Sequence, residues 1–157
     1  MRDVRLLLIA VWLGAAVFFS FALAPVLFSV LPTRELAGLV VNRMLTILNT
    51  GGAFVGVALL VSGVFKLNNG VVGQQRAWKM EVAALSVVTL ASTVNQWVIG
   101  RRIAELRARM GGSIDEVAVT DPLRIEFGQL HGVSVAVLVV GMLAAAIALV
   151  LIGRRVN

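Results

Sequence analysis

The chain of 157 residues contains no cysteine, one histidine, three prolines and only 14% charged residues. Without cysteine there can be no disulfide, thiolate metal site, iron–sulfur cluster or cysteine nucleophile, and the redox compartment stays undetermined. The single histidine, His131, cannot supply the several ligands of a typical zinc site. Haem held by two histidines would need a second chain. Phosphate-binding glycine loops, HExxH and a nucleophile with a histidine base and acidic orienter are also missing. No metal site is expected, and the missing motifs disfavour an enzyme.

What the chain has in excess is apolar residues, 59% of the total, where soluble domains average about 45–50%. So apolar a chain could not cover itself with polar surface, and its natural solvent is lipid. The net charge of +6 could suggest nucleic acid. However, the basic residues flank apolar runs and form no stripe of their own, so no nucleic-acid partner is expected.

Four apolar runs stand out, roughly Leu6–Leu31, Leu45–Phe65, Val82–Ile99 and Val133–Ile152. Each is near the ~20 residues that a helix needs to cross a ~30 Å hydrocarbon core. None alternates with period two, which disfavours a transmembrane barrel. The reading is an all-α bundle of four transmembrane helices in two helical hairpins, forming a single integral membrane domain over residues 1–157. The helices are expected at about 6–31, 45–65, 79–110 and 122–152. The first run, despite Ala22-Leu23-Ala24, is too long for a signal peptide and is expected to persist as a helix. Pro25 inside it removes one backbone donor and should kink it.

The loops carry the charge. Pro32-Thr33 ends the first helix, and Leu36, Val40 and Met44 suggest an interfacial segment before the second. Asn69-Gly70 and Gly73 supply a short turn between the second and third helices. Beyond the third run, Arg101–Met110 keeps helical patterning, with opposite charges spaced i, i+4 at Arg101, Glu105 and Arg109. Gly111-Gly112 should stop this helix, and Asp121-Pro122 is an N-cap followed by an N1 proline. Helices 3 and 4 would therefore extend about ten residues beyond the membrane, with a tip near Ser113–Val119. Symmetric folding places Arg101 level with His131 and Glu126 level with Leu106, within reach of Arg102, Arg107 and Arg109. Seven basic residues lie on the side of the termini and seven on the other, so the positive-inside rule does not decide orientation. An inner cell membrane with both termini cytoplasmic is the expectation.

Within the runs, Ser86, Thr89, Ser92, Thr93 and Gln96 share an arc of helix 3, with Asn95 beside it. Polar groups in lipid need partners, so this face should point inward, either for interhelical hydrogen bonds or as the lining of a polar cavity. Gly52, Gly56 and Gly63 in helix 2, and Gly141, Ala145 and Ala148 in helix 4, form small faces suited to close helix packing. Packing within the chain is expected ahead of homo-oligomerisation. Lys66, Glu81, Arg101 and Arg102 lie near the ends of the runs and should snorkel to the interface. The candidate polar site is Asn95, Gln96, Arg101, Arg102, His131 and Ser134. His131 is read as a polar group at the lipid boundary, bonded to backbone or to Asn95.

The stretch "WLGAAVFFSFALAPVLFSVLP", Ala37-Gly38 with Arg43, "NQWVIGRRIAELR" and "FGQLHGVSVAVLVV" together resemble the transmembrane-protein-205-like family of small four-helix membrane proteins, catalogued as a domain of unknown function. Gly100 stands where that pattern has proline, so the kink of the pattern does not carry over. The resemblance implies no settled activity. Its architecture looks related to membrane proteins of copper resistance and of protoporphyrinogen oxidation, which implies haem, porphyrin or copper handling as an alternative. The first-helix histidine wanted for that chemistry is absent. The expectation is a non-enzymatic bundle that binds or scaffolds, without a cofactor, in contact with the lipid bilayer and open to a membrane partner. The alternatives are a haem, porphyrin or copper redox protein and a small-solute permease.

Overall fold

A computed structural model describes residues 2–69, 75–111 and 114–154. These residues form four long helices: α1 (Arg2–Val30), α2 (Arg34–Asn69), α3 (Gln75–Met110) and α4 (Pro122–Gly153). No strand occurs among the described residues. All four helices are long and apolar enough to cross a membrane, as a multi-pass membrane protein requires. They pack in a ring, with α1 against α2 and α4, and α3 against α2 and α4. The apolar exterior fits lipid as solvent: Phe21 and Phe54 are 74% and 72% exposed.

The inward stripes follow the helical repeat. In α1 they run Arg5, Ile9, Trp12, Ala16 and Phe19; in α3, Glu81, Leu85, Val88, Ser92, Asn95 and Ile99. Small residues set how closely the helices approach. A side chain at Gly52 would strike the Trp12 indole and the Ser92 hydroxyl, and one at Gly56 would strike Thr89. Gly63 faces Val82 and Arg5, while Gly141 lies against Ala91 and near Trp12. Ala145 and Ala148 are fully buried. The room left by Gly52 lets the Trp12 indole N–H donate to the Leu48 carbonyl at 3.0 Å. The buried indole thereby keeps a partner.

Some elements differ from the sequence expectation, and the helix caps at Thr33, Gly111 and Asp121 meet it. Helix α2 has no separate interfacial segment and runs unbroken from Arg34, because nothing between Arg34 and Asn69 breaks a helix. Its start is capped by Thr33, whose hydroxyl accepts from the Leu36 N–H at 3.2 Å. The hydroxyls of Ser86 and Thr89 bond the carbonyls of Val82 and Leu85 one turn back in their own helix, not a neighbour. Such local bonds satisfy a hydroxyl without a second helix. Gly111 ends α3 in the left-handed conformation at φ +68°, which glycine adopts without steric cost. The Asp121 carboxylate accepts from Leu123 N–H at 2.8 Å and caps α4. Gly70 and Gly73 of the expected turn, and Gly112 and Ser113 at the tip, lie outside the described residues.

Two π-turns interrupt the helices. One, Phe19–Leu23, comes just before Pro25. Its last bond runs from Ala24 N–H to the Phe19 carbonyl, so the disturbance associated with this proline is a widened turn on its N-terminal side. The other, Asn95–Ile99, lies in α3 and closes with Gly100 N–H on the Asn95 carbonyl. A side chain at Gly100 would sit 3.1 Å from that carbonyl, so the widened turn leaves little room for one.

At the end of the bundle that carries the chain termini, Glu81 does not snorkel. It is fully buried and paired with the Arg5 guanidinium, itself 5% exposed. Arg5 also donates to the Leu59 carbonyl at 3.2 Å and lies 5.9 Å from the Trp78 ring centroid. One ion pair thus joins α1, α2 and α3. Both residues occupy core positions of their helical stripes, and that placement overrides their closeness to the ends of the apolar runs.

Candidate functional site

At the opposite end, the four helices diverge around a cavity of about 450 Å³. Phe28 of α1 borders it. Helix α2 contributes Asn42, Thr46 and Asn49, spaced i, i+4, i+7 and therefore on one face. Helix α3 contributes Asn95, Gln96, Arg101 and Arg107, and α4 contributes Arg124, Phe127, His131 and Ser134. Arg34 and Asp115 complete the polar rim.

The inner wall is polar and largely satisfied. The Ser134 hydroxyl donates to the Asn95 side-chain oxygen at 2.7 Å, and the Asn95 amide donates to the Ser134 carbonyl at 3.3 Å. Both residues are buried. The π-turn starts at Asn95, and this pairing ties it to α4. Asn49 differs: it is 4% exposed, and its side-chain oxygen has no hydrogen-bond partner among the described residues. A buried acceptor left without a donor costs about 1–3 kcal/mol.

The rim is basic, with four arginines against one carboxylate on the cavity lining. Arg107 lies over the Phe127 ring, 5.3 Å from its centroid, and its guanidinium occupies the space above Gly38. A side chain at position 38 would displace it. Arg124 donates to the Val117 carbonyl and so draws the tip of the hairpin toward the cavity. His131 stacks on Phe127 with centroids 6.4 Å apart and planes within 2°.

The structure brings Asn95, Gln96, Arg101, His131 and Ser134 of the expected site to this one cavity. Arg102 is not among the lining residues. It pairs with Glu126 at 2.8 Å and with Glu105 at 3.4 Å. Of the three arginines expected within reach of Glu126, Arg102 is the one that pairs with it, and Glu105 pairs at i−3 where i, i+4 partners were expected. The hairpin register is offset by about one turn from symmetric folding, since its two arms begin differently, at a left-handed Gly111 and at the Asp121 cap. With that offset, Asn95 bonds Ser134, and no hydrogen bond joins it to His131. Asn42, Thr46, Asn49, Arg34, Arg107 and Arg124 were absent from the expected site. The α2 residues did carry a signal, their common face, but it was obscured by the glycine face of the same helix. Among the described residues, no group of three or more His, Asp and Glu is placed to hold a metal ion.

The family described as "Domain of unknown function (DUF4149)" matches residues 7–111. The match covers most of α1, all of α2 and α3, and stops at the Gly111 cap; α4 lies beyond it. No curated protein and no solved structure matches the chain.

Proposed function

The chain belongs to that family, and we propose that it is a non-catalytic membrane protein that binds a small molecule in the cavity between its four helices. The observation that carries this reading is Asn49. The residue lines a space large enough for a ligand group, and its buried side-chain oxygen has no hydrogen-bond partner among the described residues. Arg5 Nε and Ser20 Oγ are also buried without a partner among the described residues, but neither residue lines the cavity; at Asn49 a ligand donor could supply the missing bond. The cavity has the size of a small-molecule site and combines apolar side chains with a polar inner wall and a basic rim. The finer resemblance to the transmembrane-protein-205-like family rests on Trp12, Pro25, "NQWVIGRR" and "FGQLHG", and it brings no activity that would compete with this reading.

The test is native mass spectrometry of the full chain released from detergent. We expect a bound small-molecule mass that is lost when Thr46→Trp fills the cavity and retained in Gly128→Ala, where nothing lies within 4 Å. A bare protein mass under all release conditions would sink the reading.

A second reading, haem or porphyrin binding, is favoured by one observation: His131 and the arginines share the cavity. Porphyrin carboxylates would pair with guanidinium groups. An absorbance spectrum of the purified chain decides it. A Soret band lost in His131→Ala supports haem, and a colourless preparation removes it.

A further inference from the structure

We infer that the cavity recognises an oxyanion, a phosphate or carboxylate group, attached to a hydrogen-bond donor and an apolar body. This inference names the ligand class of the binding reading above and rests on it.

Three observations converge. The first is charge. Arg34 from α2, Arg101 and Arg107 from α3 and Arg124 from α4 all border the cavity, where Asp115 is the single carboxylate of the lining. Away from the cavity, Arg5 pairs with Glu81, and Arg102 with Glu126 and Glu105. At the cavity the cations outnumber the acids four to one. Their planar guanidinium forks suit phosphate and carboxylate oxygens. They come from three helices onto one cavity lining.

The second observation is the orphaned acceptor. The Asn49 oxygen can be satisfied only by an N–H or O–H, which a bare phosphate diester or carboxylate does not offer. A ligand that reaches Asn49 would satisfy it with a hydroxyl or amide. The third is the apolar part of the lining, formed by Phe28, Val41, Leu45, Ile103 and Phe127. It gives a carbon-rich body somewhere to lie. Phe28 is 47% exposed on the outer surface of α1, so this wall is continuous with the apolar exterior of the bundle.

Two sources share this chemistry: the hydroxylated head group of an anionic lipid, and a soluble phosphorylated polyol. The experiment uses the full chain in detergent and measures affinity for three probes. These are dioctanoyl phosphatidylglycerol, dioctanoyl phosphatidylcholine and glycerol phosphate. We expect phosphatidylglycerol to bind at least about tenfold more tightly than phosphatidylcholine, which carries the same tails but no net charge and no donor. Arg101→Gln with Arg107→Gln should erase most of that difference. Because Arg107 also packs on Phe127, Arg34→Gln with Arg101→Gln, both exposed, serves as the second variant and should move the ratio in the same direction. Competition by glycerol phosphate assigns the head group to a soluble source, and its failure to compete assigns it to the lipid. Equal affinity for the two lipids, unchanged by either arginine pair, overturns the oxyanion inference while leaving a binding cavity in place. Failure of all three probes to bind overturns it as well. If a native mass adduct is still present, only this inference falls; without one, the binding reading falls with it.

Discussion

The two ends of the bundle handle charge in opposite ways. At the end with the termini, Arg5 and Glu81 are buried in the same inward stripes as the apolar core, and their charges pair. The guanidinium also donates to the Leu59 carbonyl and lies near the Trp78 ring. At the other end the helices diverge, four arginines face one carboxylate, and Asn49 holds an acceptor with no donor. The closed end balances its charge within the chain, one guanidinium against one carboxylate, although Arg5 Nε has no hydrogen-bond partner among the described residues. The open end carries an excess of cations over acids on its lining, and that excess is the reason to place function there.

The largest expected effect comes from breaking the closed end. Removing one partner of a buried ion pair leaves the other charge uncompensated and typically costs about 3–5 kcal/mol. Arg5→Met or Glu81→Met alone should therefore lower the unfolding midpoint sharply in detergent. The double substitution should recover much of the loss, because it replaces the pair by apolar groups. A double variant as unstable as the sum of the singles would show that the pair is not a unit.

Next is the packed middle. Gly56→Ala would push a methyl group against Thr89, whose Cα lies 3.2 Å from the added carbon. Overpacking of this kind costs about 1–3 kcal/mol. Gly128→Ala, with nothing within 4 Å, is the control and should not destabilise. Denaturant titration of the pair measures the difference.

Asn49→Leu reverses the sign. Replacing an unsatisfied acceptor by an apolar group of similar size should leave stability unchanged or raise it by about 1–2 kcal/mol. The same substitution should lower ligand retention in native mass spectrometry. Loss of stability would show that the Asn49 oxygen is satisfied within the folded chain. The smallest effect belongs to Arg102→Gln. Its pairs with Glu126 and Glu105 are exposed, and such pairs contribute little. Thermal stability should stay within measurement error, and affinity at the cavity should not move, in contrast to Arg101→Gln.

The helices were legible because apolar length and caps are local properties. Thr33, Gly111 and Asp121-Pro122 mark boundaries that the structure keeps. Helix α2 was shortened in the sequence reading because Arg34, Glu35 and Arg43 dilute its hydropathy without breaking its backbone. Glu81 was misplaced for a related reason. Distance from the end of an apolar run suggested the interface, whereas its spacing from Leu85, Val88, Ser92 and Asn95 put it on the buried stripe. Of the cavity, the α3 and α4 walls could be read because the two helices form a hairpin. The α2 wall could not, since bringing Asn42, Thr46 and Asn49 opposite Asn95 depends on how separate hairpins pack. Which arginine faces inward depends on hairpin register, and a few residues of offset exchange Arg102 for its neighbours.

The widened turn at Asn95–Ile99 bears on how this chain can tolerate insertions and deletions. A regular helix cannot lose a residue without rotating its far half by about 100°. In α3 that would turn Arg101 and Arg107 away from the cavity, or Glu81 away from Arg5. A π-turn already holds one residue more than the α-helical repeat needs, so removing one there restores the regular repeat and leaves both halves aimed as before. Deleting Val98, an exposed residue within the turn, should therefore preserve the fold. Deleting Leu90, equally exposed but in the regular part of the helix, should abolish it. Helix α3 thus contains one site where its length can change by a residue while the charged pair at one end and the basic rim at the other both stay in phase.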